Sequence, residues 1–335
     1  MTCFRAISLA VAVLVIGACG GVTPVRTAFN RGVYQSSQAN PDGAVREYRL
    51  AVEEDPSDVR ARFNLACALE DVAALRNSEA SKSKDASSAA ALTTASAIAR
   101  SSARAEYELL LTANPSDLRA AVNLAAMDFE DADRSGDAAL EAAGLERLAA
   151  AAAGGHVLPA RSLAARHLLK DRRAEAAVWI GKALAADGSD VEALFLKGRL
   201  AAIEGRFDDA LQSFDEVLTN APDDVAALLA SGESERLRAA AARSAGDIAA
   251  AERSSTEAIV RYRRAAMVRR DVFAAHFALA ELEAEAGDDE AAVAHLLAAK
   301  RLDDLRRGGP QPDYEGRLAA LYERLAAKHG GRSPK

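Results

Sequence analysis

Aromatic side chains are scarce in this 335-residue chain: they make up 5% of it, and tryptophan occurs once, as Trp179. That argues against one large core built on rings. An excess of positive charge is also missing. The formal charge is −7, which argues against general nucleic-acid binding, because that needs a basic footprint. The apolar stretch Ala6 to Ala18 falls short of the ~20 residues that a bilayer crossing needs. Glycine and proline are few and fall at intervals, as punctuation. The histidines are His156, His167, His276, His295 and His329. None forms H-E-x-x-H, and no Cys/His spacing fits zinc. P-loop and dinucleotide fingerprints are absent, and "SGESER" around Ser234 lacks the second glycine of a nucleophile elbow. No catalytic residue, metal or cofactor is therefore expected. What is present is alanine, with half of all residues hydrophobic. Such a chain suits many small helix–helix contacts.

Met1-Thr2-Cys3-Phe4-Arg5 puts one positive charge ahead of Ala6 to Ala18, the layout of a secretory signal peptide. The stretch ends in Ile16-Gly17-Ala18-Cys19. This resembles the lipobox of bacterial lipoproteins, in which the chain is cut before a cysteine that then carries acyl groups. The competing reading is an ordinary signal peptide cut elsewhere, with Cys19 incidental. The resemblance implies removal of residues 1–18 and lipid attachment at Cys19, with 19–24 as a tether. One chain of myristoyl length holds a protein only marginally; three, as the resemblance implies, would keep it on its membrane. The residue after Cys19 is Gly20, not the aspartate that favours inner-membrane retention in well-studied Gram-negative systems. The expected location is the outer membrane, facing the periplasm. With Cys3 removed and Cys19 acylated, Cys67 has no intrachain partner for a disulfide.

Self-similarity is the strongest signal. "FNLACALED" (Phe63 to Asp71) parallels "VNLAAMDFED" (Val122 to Asp131), and the endings "AVREYRLAVEEDPSD", "ARAEYELLLTANPSD" and "ALQSFDEVLTNAPDD" match one another. The pattern resembles the tetratricopeptide repeat, a helix–turn–helix of 34 residues. Val191 to Asp224 fits best. There Gly198 takes the small position of the first helix and Gly205 the turn. Ala210, Phe214 and Val217 pack on the second helix, and Pro222 disfavours helix just before itself. Further repeats begin near Val25, Val59, Leu118, Val157, Val225 and Phe273. The resemblance implies an all-α superhelical solenoid of about seven such repeats over 25–308, closed by a capping helix, Tyr314 to Lys328, within 309–335.

Departures from the family pattern are clear. Tryptophan is missing from its usual place, and insertions fall near 72–102 and 238–252. In the sixth repeat about two heptads surround Gly246-Asp247, which keeps the buried face in register and implies a longer hairpin. In the second, the expectation is a lengthened second helix from about Ala86 after a loop around Asn77 to Asp85. Leu318, Leu321, Tyr322 and Leu325 should line the buried face of the cap. Asp208-Asp209 and Asp288-Asp289 should cap helix starts. His167 and His276 should be satisfied, half-buried residues, and Cys67 a small packing or groove-lining residue. The basic run Arg261 to Arg270 fits a solvated helix face better than a lipid or acidic-partner site.

In this family the first helices line a groove, with their second and fifth positions turned toward it. Arg26, Arg60 and Arg119 recur at one such position, with Phe29, Phe63 and Val122 three residues later. Asn64 and Asn123 follow, and Arg161 adds a charge in the fourth repeat. Glu233, Glu281 and Glu285 would make the far end acidic. The competing reading is charge that serves solubility alone. The resemblance implies a non-enzymatic scaffold for protein–protein interaction in an envelope machine: a pilus, secretion, outer-membrane or gliding apparatus. Its partner would be a protein, with an acidic or extended segment, and not a nucleic acid. The alternative is an accessory factor holding an enzyme that acts on peptidoglycan or polysaccharide.

Overall fold

The computed structural model describes residues 27–305 and 312–328; the expected signal segment 1–18, Cys19, the expected tether 19–24, Arg26 and the C-terminal residues 329–335 lie outside them. Among the described residues there are fifteen α-helices and no strand. The chain divides into two units, residues up to Leu124 and residues from Ala125. The first holds α1 (Ala28–Ser37), α2 (Pro41–Glu54), α3 (Val59–Lys82), α4 (Ala86–Ala113) and the opening of α5 (Leu118–Ser135). The second holds the rest of α5, then α6 (Ala138–Ala152), α7 (Val157–Leu169), α8 (Arg173–Ala186), α9 (Val191–Ile203) and α10 (Phe207–Asn220). It continues with α11 (Val225–Ser244), α12 (Ile248–Val268), α13 (Phe273–Ala286), α14 (Asp289–Asp304) and α15 (Tyr314–Lys328). From α1 to α14, odd-numbered helices open a repeat and even-numbered ones close it, and α15 follows the last repeat.

Short polar links explain where each repeat begins. Pro56 and Pro115 end a helix, and two residues on an aspartate caps the next one. Asp58 Oδ1 accepts from the backbone N–H groups of Arg60 and Ala61, and Asp117 Oδ1 does the same for Arg119 and Ala120. Asp190 and Asp224 cap α9 and α11 likewise. Each such cap contributes ~1 kcal/mol.

Within a repeat, a glycine on the first helix lets an aromatic ring from the second seat itself. Gly32 faces Tyr48, Gly198 faces Phe214 and Gly232 faces Tyr262. A Cβ on Gly198 would come within 2.6 Å of the Phe214 ring, so the interlock requires its absence. The Gly232–Tyr262 pair is two heptads further apart in sequence than the other two, yet it packs the same way. The added heptads sit at the tip of the α11/α12 hairpin, which turns at Gly246 with φ +81°.

The α3/α4 hairpin differs from the sequence expectation. Helix α4 starts at Ala86, but α3 runs to Lys82, so the loop is only Ser83 to Asp85 and residues 77–82 are helical. No proline or glycine interrupts α3, and both arms lengthen together. They stay zipped by small contacts: Ser96 Oγ donates to the Ala73 carbonyl at 2.7 Å, and Ala99 and Ala103 are buried.

At the C-terminal end, α15 covers α13 and α14 with Tyr314, Leu318 and Leu321. Tyr322, expected on that face, is 45% exposed instead, because the packed stripe runs 314–318–321 and leaves 322 to the side. Asp288 caps α14 as expected. Asp289 does not act as a surface cap: it is buried, and Arg324 and Lys328 of α15 reach its carboxylate at 2.6 and 2.7 Å. The same two side chains donate to the Ala284 and Gly287 carbonyls at the end of α13.

Candidate functional site: the first-helix face

In the first unit, arginines and phenylalanines from successive first helices meet. Arg60, the second residue of α3, lays its guanidinium over Phe29 of α1, 5.4 Å from the ring centroid. Arg119, the second residue of α5, lies over Phe63 of α3 at 4.6 Å. Each ring in turn leans on the tyrosine of its own repeat, Phe29 on Tyr48 at 5.8 Å and Phe63 on Tyr107 at 5.9 Å. The arginines therefore recur for a structural reason: each covers the ring of the repeat before it, an interaction of ~0.5–1 kcal/mol at exposed sites. Their side chains nevertheless stay 75% and 54% exposed. The carboxylates beside them belong to the capping residues Asp58 and Asp117, at 3.6 and 3.8 Å, already engaged with backbone N–H groups.

This arrangement changes what the neighbouring residues offer. Phe63 is buried and Phe29 half-buried, each beneath a guanidinium. They support the cations and do not present open apolar surface. Val122 and Asn64 are half-buried, and the Asn64 carboxamide makes no hydrogen bond among the described residues. Asn123 is already in use, with Nδ2 donating to the Tyr107 hydroxyl at 2.8 Å. Tyr107 is fully buried and donates to Glu70, and the Cys67 sulfur lies 3.3 Å from its oxygen. Burial drives the Tyr107 pKa far up, reinforced by the charges of Cys67 and Glu70. Burial also pushes the Cys67 thiol up to about 11, so it stays protonated at neutral pH and is a poor nucleophile. Cys67 is a packing residue in a closed polar cluster.

In the second unit, the charges read from the sequence have partners of their own. Arg161 is held at 2.9 Å by both Asp190 and Glu192. Glu233 accepts from Arg236 at 2.6 Å and from the Tyr262 hydroxyl at 3.1 Å. Glu281 pairs with Arg317 at 2.8 Å and Glu285 with Arg243 at 3.1 Å. The acidic wall is thus largely neutralised by cations that the first-helix pattern does not reveal. The basic run behaves as a solvated face, with Arg261 on Asp215, Arg263 on Glu283 and Arg269 on Asp271. His276 bonds to His295 at 2.9 Å and to the Arg270 carbonyl at 3.1 Å. His167 departs from expectation: its Nδ1 is buried with no hydrogen-bond partner among the described residues. Among the described residues no three His, Cys, Asp or Glu side chains are grouped so as to hold a metal ion.

The family model for the tetratricopeptide repeat matches residues 191–224, the α9/α10 pair in which Gly198 seats Phe214. The chain carries a tetratricopeptide repeat. Solved structures extend the likeness to the whole array. A tetratricopeptide repeat protein from Parabacteroides merdae is 11% identical with a TM-score of 0.52, over 88% of this chain and 97% of that one. Yeast Tom70 is 13% identical with a TM-score of 0.53, over 93% of this chain and 65% of that one. The APC/C hetero-tetramer Cut9–Hcn1 is 13% identical with a TM-score of 0.51, over 88% and 55%. At such identities the likeness concerns fold alone. No curated protein matches the sequence. Asn30 lies four residues after Arg26, as Asn64 and Asn123 lie four after Arg60 and Arg119, a third asparagine at one position that the first-helix pattern could have revealed. Tyr107 and Glu70 escape sequence reading too, since their repeat positions mark packing and say nothing of a shared hydrogen bond.

Proposed function

We propose that this tetratricopeptide-repeat protein is a non-enzymatic scaffold, anchored by lipid on Cys19 to the outer membrane, that holds a protein partner for an envelope assembly machine. The partner docks on the first-helix face of the N-terminal repeats. The observation that carries this reading is the pair of exposed guanidiniums, Arg60 and Arg119, each fixed over a ring and flanked only by a capping aspartate. Pre-fixed cations lose little freedom on binding, and carboxylates or main-chain carbonyls meet them well. The face suits protein better than glycan, because Phe29 and Phe63 lie under guanidiniums and are not open to stack on sugars.

Two measurements test the reading. Mass spectrometry of the N-terminal peptide should find Cys19 acylated and residues 1–18 removed; an unmodified Cys19, or a cut well downstream, refutes the anchor. A photo-crosslinking residue in place of Asn64, activated in intact membranes, should yield a crosslink to one envelope protein. A crosslinker at that place that captures nothing, while one on the opposite face does, moves the docking site elsewhere.

A further inference from the structure

The last repeat brings two imidazoles together. His276 near the start of α13 and His295 of α14 place their Nδ1 atoms 2.9 Å apart. The outer nitrogen of each ring faces a polar group as well. His276 Nε2 lies 3.1 Å from the Arg270 carbonyl, in the link between α12 and α13. A carbonyl only accepts, so Nε2 carries the proton and Nδ1 of the neutral ring has the lone pair. His295 Nδ1–H then donates to His276, which leaves His295 Nε2 without a proton. That bare nitrogen lies 3.8 Å from Glu283 Oε1, acceptor against acceptor. Glu283 is 1% exposed. Arg263 donates twice to its Oε1, at 2.7 and 3.1 Å, and its Oε2 has no hydrogen-bond partner among the described residues.

The geometry points to a two-histidine site for one late first-row transition ion of the copper–zinc class, held by Nδ1 of His276 and Nδ1 of His295. Binding relocates one proton: His295 loses it from Nδ1 and regains one at Nε2 by exchange with water. Nε2–H then faces Glu283, the mismatch is gone, and no net proton is released. A backbone carbonyl and a carboxylate are the outer partners that orient metal-bound imidazoles and fix their tautomers. Two nitrogens at ~2.0–2.1 Å from one ion lie roughly 2.9–3.4 Å apart for square-planar to tetrahedral angles. The pair starts at 2.9 Å, so the rings need only swing and open slightly. Imidazole suits copper, nickel and zinc, whereas calcium and magnesium take oxygen donors. Both rings are half-buried and not enclosed, so water reaches the remaining coordination positions. The ion staples α13 to α14, the pair that α15 covers. The site stands independently of the scaffold reading.

The probe is copper(II), which binds tightest in the Irving–Williams order. It is titrated into the full chain in detergent, stripped with chelator and carrying no polyhistidine tag. One ion should bind per chain, its paramagnetic resonance spectrum should show coupling to two imidazole nitrogens, and the melting temperature should rise by several degrees. His276→Gln and His295→Gln should each weaken binding about tenfold or more and remove the two-nitrogen coupling, with helical content unchanged by circular dichroism. His156→Gln/His329→Gln, which alters histidines elsewhere in the chain, should bind as the wild type does. A second measurement needs no variant: zinc added to the wild type should shift the imidazole resonances of His276 and His295 and leave those of His156, His167 and His329 in place. Copper coupled to one imidazole or none overturns the site. So does zinc that leaves the His276 and His295 resonances unmoved, or undiminished copper binding in either single glutamine variant.

Discussion

Replacing Phe214 by alanine should be among the most damaging single changes in the array. The ring is 1% exposed. It packs among Ala201, Ala210, Ala202 and Ala230, with Phe195 tilted against it at 5.6 Å. Most of these neighbours are alanines, and Gly198 has no side chain at all, so nothing nearby reaches far enough to fill the void. Deleting a fully buried phenylalanine ring costs ~3–5 kcal/mol, and a site that cannot collapse belongs at the upper end. The companion change is Gly198→Ala. Its new Cβ would fall 2.6 Å from the ring, an overpacking cost of ~1–3 kcal/mol offset by about 1 kcal/mol of helix propensity. In the double variant the clash partner has gone, so Gly198→Ala should become neutral or stabilising, and the two changes should be strongly non-additive. Repeats contact only their neighbours and can open separately. Urea melts followed by circular dichroism should therefore be read together with hydrogen exchange on α9 and α10. If Gly198→Ala costs the same with and without the ring, the ring is not seated on the glycine, and the repeat register is wrong.

Asp289→Asn should loosen α15, because it removes the one carboxylate that both Arg324 and Lys328 reach. Both cations stay half-exposed and can turn to water, so the cost is held to ~1–3 kcal/mol; exchange should rise in α15 and leave α1–α4 unchanged, and equal loss everywhere would contradict a local clasp. Acidification should destabilise the second unit through His167 and His295, whose pKa values burial lowers from 6.5. His295 faces His276, Glu283 and Arg263, and His167 feels Arg172, Glu175 and Glu141. The folded state binds fewer protons than the unfolded one, so this stabilisation is present above the unfolded value of 6.5 and is lost as pH falls from there through the lowered folded values. Melts of the His167→Gln/His295→Gln variant should show a flatter pH dependence across that window; an unchanged slope would remove these histidines from the account.

Much of the architecture was legible because it is local. The small–aromatic spacing, the P-x-D links and the Ala-rich stripes each act within one or two helices. They set helix starts, repeat boundaries and the two-heptad hairpin before any tertiary contact is considered. The α3 terminus was harder to read, since residues 77–82 are mostly polar, and they are helical beside a lengthened α4. The Tyr322 error has the same origin: the pattern offered several apolar positions, and only packing against α13 and α14 chose between them.

The sequence alone determined that arginines recur at one repeat position with a phenylalanine or valine three residues on. It could not say that each arginine covers the ring of the previous repeat, because Arg60 and Phe29 meet only when α1 and α3 stack. Nor could it say which charges remain available. Arg161, Glu281 and Arg60 look alike in a sequence, and what separates them is a carboxylate or guanidinium delivered from another helix. A residue's type and period follow from its own segment, whereas its electrostatic freedom depends on every segment packed against it. That dependence is why the repeat could be read from the chain, and why the open pair, Arg60 and Arg119, had to wait for the fold.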